Sequence, residues 1–149
     1  MNAIYFDMDG TLNQLYNVPN WLERLRSYDA SPYAEAKVNL NMSLLARYLN
    51  QLQKKGFKIC VISWLSAQST PDYDRAVTAS KYSWLDEHLG SVSFDEVHIT
   101  DYGVPKESFR TEKGDILFDD NETIRKAWEE NAYPPDMILT VLHDLLTGE

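Results

Sequence analysis

The first apolar run of the chain, Ala3-Ile4-Tyr5-Phe6, leads straight into Asp7-Met8-Asp9-Gly10-Thr11-Leu12, placing two carboxylates one residue apart and then a glycine. At the carboxyl end of a strand in an open parallel sheet, such groups face the ligand crevice. Gly10 permits a sharp turn there that brings both acids to one site. A second apolar run ends the same way, in Ile116-Leu117-Phe118-Asp119-Asp120-Asn121. If the two strands are neighbours, three or four carboxylates converge, and burying like charges together is costly without a cation. A hard divalent ion with oxygen ligands resolves that cost. Mg²⁺ suits it, because it takes one or two carboxylates, waters and a substrate phosphate. The competing possibility is that Asp119 or Asp120 caps the helix that follows, through its N-terminal amides.

Two further groups could serve a bound phosphoryl oxygen. Ser63 directly follows the run Lys58–Ile62 and can donate a hydrogen bond, and Trp64 comes next, either lining the pocket or filling the core. Lys106 lies in Gly103-Val104-Pro105-Lys106-Glu107, where proline suits the first turn of a short helix and the lysine falls beside its N-terminus. Lys113, in Glu112-Lys113-Gly114, competes for the same role. At about 3.3 Å per strand residue, however, Lys113 should sit more than about 13 Å from Asp119, so Lys106 is preferred.

The elements that must position these groups alternate between apolar runs and amphipathic stretches, the pattern of an α/β protein with a parallel sheet covered by helices on both faces. Strands are expected at Ala3–Phe6, Lys58–Ile62, Glu96–Thr100 and Asp115–Phe118. Met42–Lys55 repeats Leu44, Leu45, Tyr48, Leu49 and Leu52 at helical spacing before Gly56, and forms the first crossover helix. A helix over Asp72–His88 should turn Ala76, Ala79, Trp84 and Leu85 inward, and Asn121–Asn131 and Asp136–Leu146 complete the helices. The last of these begins after the breaker Tyr133-Pro134-Pro135. From Asp7 to Ser63 is 56 positions. A strand-helix-strand unit needs only about 30 residues. The surplus, Asn13–Asn41, contains an expected helix Pro19–Ser27 and the aromatics Tyr16, Trp21, Tyr28 and Tyr33. Pieces shorter than about 40 residues rarely fold alone, so this segment reads as a small cap on a single domain spanning 1–149.

Composition narrows the partners. With 14 Lys and Arg against 23 Asp and Glu the net charge is −9, and no basic run exists, which disfavours duplex nucleic acid. The lone Cys60, within Ile59-Cys60-Val61-Ile62, reads as a buried structural thiol. No stretch reaches the roughly 20 apolar residues of a membrane span, and the N-terminus leaves no room for a signal peptide before Asp7, so a soluble cytoplasmic protein is expected.

In order, Asp7-x-Asp9-Gly10-Thr11, Ser63, Lys106 and Asp119-Asp120 resemble the motifs of the haloacid dehalogenase superfamily. Response-regulator receivers combine similar residues, but their phosphorylated Asp ends a later strand. The resemblance implies a three-layer, Rossmann-like parallel sheet with a cap inserted after the first strand. It implies a Mg²⁺-dependent phosphohydrolase in which Asp7 attacks phosphorus, forming an aspartyl-phosphate. Asp9 would protonate the departing oxygen and then activate water. Asp9, Gly10, Thr11, Ser63, Trp64 and Lys106 would hold the phosphate. The metal would lie on the Asp7 carboxylate, the Asp9 backbone carbonyl and Asp119, with Asp120 direct or through water. The acid at Asp9 argues against dehalogenation, and phosphatase is favoured over mutase.

Within that superfamily, Asp7-Met8-Asp9-Gly10 and Gly114-Asp115-Ile116-Leu117-Phe118-Asp119-Asp120 look like the 5′(3′)-deoxyribonucleotidases, and the chain is also similar to small members from Firmicutes and their phages. It departs from the nucleotidases at Thr11, often Val there, in its shorter cap, and in the greater distance of Lys106 from the acidic pair. The expected substrate is a small phosphate ester, with a nucleoside monophosphate as the best single candidate. The cap aromatics Tyr16, Trp21, Tyr28 and Tyr33 are the candidates to stack on a base, although such residues more often serve packing. Arg24 and Lys37 are candidates for a distal phosphate, although such charges more often face solvent. The alternatives are an inactive scaffold that kept the fold, or a phosphatase of nucleic-acid ends or phosphoproteins.

Overall fold

The structure, a computed structural model, describes residues 2–148. Strands β1 (Ala3–Phe6), β2 (Lys58–Trp64), β3 (Glu96–Thr100), β4 (Ile116–Phe118) and a two-residue β5 (Ala132–Tyr133) pair in parallel in the order β3-β2-β1-β4-β5. The four strands anticipated from sequence are present. β2 runs on to Trp64, which puts Ser63 inside the strand rather than after it.

Alternation within the strands divides the core. Ile4, Phe6, Ile59, Val61, Ile116 and Phe118 face one side, against α3 (Met42–Lys54), α4 (Pro71–Leu89) and α6 (Ile138–Thr147). Ala3, Tyr5, Cys60, Ile62 and Leu117 face the other, against α5 (Glu122–Trp128) and the 3₁₀ turn Lys106–Phe109. A sheet covered on both faces needs continuously apolar strands, and β1 and β4 are buried along their whole length. Burial also pushes the Cys60 thiol up to about 12, which keeps it protonated and unreactive.

Local chemistry sets the helix ends. Asn41 caps α3 by accepting from the Leu44 amide at 3.0 Å, and Gly56, at φ 103°, turns the chain out of it into β2. Thr70 caps α4, with Pro71 as its first residue. The helix expected over Asn121–Asn131 is shorter, because Glu129 (φ 74°) and Asn131 (φ 67°) leave the helical region and release Ala132–Tyr133 to pair with β4. α6 is preceded by a 3₁₀ turn at Pro135–Met137.

Two expectations about packing need correction. The inward stripe of α4 is Tyr73, Val77, Lys81, Trp84, Leu85 and Leu89, whereas Ala76 and Ala79 are exposed. The residues Asn13–Asn41 hold α1 (Trp21–Arg26), where Pro19–Ser27 was expected, and an unanticipated α2 (Ser31–Glu35). Leu15, Val18, Tyr33 and Ala36 of this segment pack on Leu65, Tyr73 and Val77, which seats it over the start of α4. Among the described residues, no helix is long and apolar enough to cross a membrane.

The topology explains where a crevice opens. From β1 the chain moves outward through α3 and α4 on one face, then returns past β1 to β4, after which α5 lies on the opposite face. The loops after β1 and β4 therefore part at the point where strand order reverses.

Candidate active site

The backbone after β1 is wound by its own amides. The Thr11 and Leu12 amides both donate to Met8 O, at 3.1 and 2.9 Å, and the Gly10 amide donates to Asn13 O at 3.1 Å. Gly10 sits at φ 83°, and a β-carbon there would stand 2.4 Å from Asp120 Oδ2. Glycine is thus required both for the turn and for the approach of Asp120. Asn13, 1% exposed, braces the loop from below. Its side-chain oxygen accepts from the Gly10 and Leu15 amides at 3.2 and 3.0 Å, while its Nδ2 donates to Asp9 Oδ1 at 3.2 Å.

Asp7 continues the β1 ladder, its amide donating to Phe118 O at 2.9 Å. Lys106 Nζ donates to its Oδ1 at 2.9 Å and Thr11 Oγ1 to its Oδ2 at 2.8 Å. The same Lys106 ammonium donates to Asp119 Oδ2 at 2.7 Å, and Thr11 Oγ1 accepts from the Asp120 amide at 3.1 Å. One lysine and one threonine thereby bind the two acidic strand ends together. Lys113, by contrast, has a side chain 82% exposed and pairs with Glu130 at 3.7 Å. Asn121 caps α5 through the Ile124 amide at 3.1 Å, so neither acid is spent as the cap, although Asp119 Oδ1 accepts from the Asn121 amide at 2.9 Å.

Asp9 turns away from this cluster. Its Oδ2 accepts from Lys81 Nζ at 3.0 Å, and that ammonium also donates to Ser63 Oγ at 2.6 Å and Trp64 O at 2.9 Å. Sequence reasoning missed Lys81. The available signal was its place in the apolar stripe Tyr73-Val77-Lys81-Leu85, where a solvated lysine does not belong.

Four carboxylates and two ammonium groups leave two negative charges uncompensated when all are ionised. Burial and the adjacent Asp7 push Asp119 up to about 6 despite Lys106, and burial, Asp7 and Asp119 push Asp120 up to about 8. Burial alone would lower the Lys106 pKa, but the Asp7 and Asp119 carboxylates outweigh it and raise it. Oxygens of Asp7, Asp119 and Asp120 lie within 4.8 Å of one another. Hard oxygen donors in excess of negative charge fit a divalent cation of the Mg²⁺ type.

Above the acids lies a cavity of about 760 Å³, a size suited to a small-molecule ligand. Tyr16, Trp21, Tyr33, Trp64 and Tyr102 wall it, with Asp7, Asp9, Lys106, Asp119 and Asp120 at its floor. Trp64 is fixed by donation from its Nε1 to Val104 O at 2.8 Å and stands 5.1 Å from the Tyr102 ring. Tyr28 instead packs on Tyr73, with ring centroids 5.6 Å apart. Arg24 is committed to Asp29, Ser31 and Glu35 within the inserted segment, and Lys37 is exposed outside the cavity. Arg26 is the cation of this segment that reaches the cavity wall. The Gly10 and Thr11 amides are taken up by the turn, so these two residues shape the loop.

Neither a protein-family model nor a curated protein sequence matches the chain. Solved structures do. The D,D-heptose 1,7-bisphosphate phosphatase of Burkholderia thailandensis aligns with a TM-score of 0.59 at 13% identity, covering 99% of this chain and 99% of its own. The enzyme of the same name from B. bronchiseptica, solved with magnesium and phosphate, aligns with a TM-score of 0.61 at 13% identity, covering 100% of both chains. The chain therefore has the fold of these phosphatases, the haloacid dehalogenase-like α/β fold that its motifs anticipate.

Proposed function

We propose that the protein is a Mg²⁺-dependent phosphomonoesterase with Asp7 as nucleophile. The observation that carries this is the bridging of Asp7 and Asp119 by the buried Lys106, with Asp120 beside them at the floor of a ligand-sized cavity. Its similarity in fold to a phosphatase solved with magnesium and phosphate supports the same reading.

Asp7 is oriented at both oxygens, by Lys106 and Thr11, so one carboxylate geometry faces the incoming phosphorus. An Asp7 oxygen bonds to phosphorus as the ester P–O bond breaks, and the leaving oxygen takes its proton from Asp9. Water then attacks the aspartyl-phosphate, giving its proton to Asp9, and the P–O bond to Asp7 breaks to release phosphate. Lys106 offsets the charge that the nucleophile and phosphoryl oxygens would otherwise oppose to each other. Ser63 and Lys106 are the side-chain donors for phosphoryl oxygens, with Trp64 lining the approach. Asp7, Asp119, Asp120 and the Asp9 carbonyl would hold Mg²⁺, which when bound supplies Lewis-acid neutralisation of phosphoryl charge.

Residues Asn13–Asn41 act as a small cap that sets specificity, and a nucleoside monophosphate is the best single substrate. The aromatic wall of Tyr16, Trp21, Trp64 and Tyr102 supports a planar leaving group, and the net charge of −9 favours compact substrates over polyanions. Phosphate release should be measured with Mg²⁺ over nucleotides, sugar phosphates, phosphoamino acids and 5′-phosphorylated oligonucleotides. Turnover highest on nucleoside monophosphates is expected. A clear preference elsewhere ends the nucleotidase reading, and no turnover on any of them ends the phosphatase reading.

A further inference from the structure

We infer that Lys81 is a positioning residue that sets Asp9 and Ser63 in register with each other, so that the proton-exchanging acid and the phosphoryl-binding hydroxyl are placed by one ammonium group. This rests on the phosphomonoesterase reading above and adds to it a residue from α4 that no catalytic motif of the sequence contains.

The stem of Lys81 passes through the apolar stripe of α4, and the residue is 1% exposed. Its ammonium has three protons and meets three acceptors: Asp9 Oδ2 at 3.0 Å, Ser63 Oγ at 2.6 Å and Trp64 O at 2.9 Å. The Tyr33 ring lies 5.2 Å away on a further side. No donor is left over, so the geometry is fully determined.

The consequences for the two partners differ. Ser63, fully buried, accepts from Lys81 at its Oγ, so its own proton is not used in that bond. Asp9 is gripped at both oxygens, Oδ2 by Lys81 and Oδ1 by Asn13. Its carboxyl therefore has a fixed starting position at the cavity floor, with its side chain 13% exposed. The two buried lysines divide the site. Lys106 serves the nucleophile and the metal-ligand acids, whereas Lys81 serves the acid–base group and the serine.

A buried ammonium is expensive where packing alone would favour an apolar residue, and its three partners satisfy it. A purely structural role would make its removal a uniform loss. Positioning makes a selective one. Lys81→Met keeps the volume and removes the ammonium. It should lower kcat by about 100-fold with KM changed far less, because displacement of a reacting group acts on the chemical step. The loss should be larger for an alkyl phosphate than for p-nitrophenyl phosphate, whose departing oxygen needs little protonation. Starting from Asp9→Ala, adding Lys81→Met should cost less than about tenfold, since the main partner is already gone.

A crystal structure of Lys81→Met should show the Asp9 carboxyl moved from its present place. If Lys81→Met does not fold, Lys81→Arg serves the same measurements, because a planar fork cannot reproduce the three-way ammonium geometry. Equal losses on both leaving groups with an additive double variant, or Asp9 and Ser63 unmoved in the variant structure, would overturn the inference. Wild-type protein inactive on every phosphate ester would instead defeat the underlying reading, and the variant structure would still decide the positioning.

Discussion

Lys106 Nζ donates to Asp7 Oδ1 at 2.9 Å across 99 positions of sequence, joining the turn that precedes β4 to the end of β1. The residue is 2% exposed, and its other carboxylate partner, Asp119, is 1% exposed. Removing it leaves two buried carboxylates facing each other.

Lys106→Ala should therefore reduce turnover at least about 100-fold and destabilise the fold by about 3–5 kcal/mol, the usual cost of breaking a buried ion pair from one side. Lys113→Ala should change stability by less than about 0.5 kcal/mol and leave turnover near wild type, because its exposed pair with Glu130 contributes little. Steady-state kinetics and chemical denaturation of the two variants check this. The reverse ranking would displace Lys106 from the site.

Asp7→Asn should abolish turnover with the fold intact. One buried charge that raises both Asp119 and Asp120 disappears, and Lys106 keeps Asp119 as its partner. The metal-free stability should be unchanged or higher, and Asp120 should titrate below about 8. Thermal melts and carboxyl-carbon NMR titration report these two quantities. Turnover close to wild type would mean that another group is the nucleophile.

The raised carboxyls give a pH dependence of definite sign. In the unfolded chain Asp119 and Asp120 titrate near the ordinary value of 3.8, and in the metal-free fold at about 6 and about 8. Between these values the native state holds more protons, so their contribution to stability is complete below about pH 4 and is lost as pH rises to about 8. Metal-free protein should lose melting temperature over this range, whereas Mg²⁺ should restore more stability at pH 8.5 than at pH 5.5. A melting temperature indifferent to Mg²⁺ at high pH would count against the proposed metal site.

Thr11→Val tests the tie between the two acidic loops. Valine fits the volume but loses the bond to Asp7 Oδ2 and leaves the Asp120 amide without its acceptor. The expected cost is about 1–3 kcal/mol in stability. A drop in kcat should accompany it, with KM for the phosphate ester changing less. Unaltered kcat would show that Lys106 alone orients Asp7.

The sequence by itself determined the framework. Continuous apolar runs of strand length suit a helix-covered parallel sheet, and β1, β2 and β4 follow such runs, whereas the edge strand β3 alternates polar and apolar residues. Asp7, Asp119 and Asp120 were legible because acids directly after such runs must emerge at one edge of the sheet. Lys106 was separable from Lys113 by strand rise alone. Tertiary structure decided what local pattern could not express. β5 depends on Glu129 and Asn131 adopting positive φ without glycine, which ends α5 early. The inward face of α4 depends on which neighbours surround it. Lys81 is buried because Asp9, 72 positions away, and Ser63, 18 away, supply acceptors that no window of sequence around residue 81 contains. A lysine's preference for water is intrinsic, and only three converging acceptors reverse it.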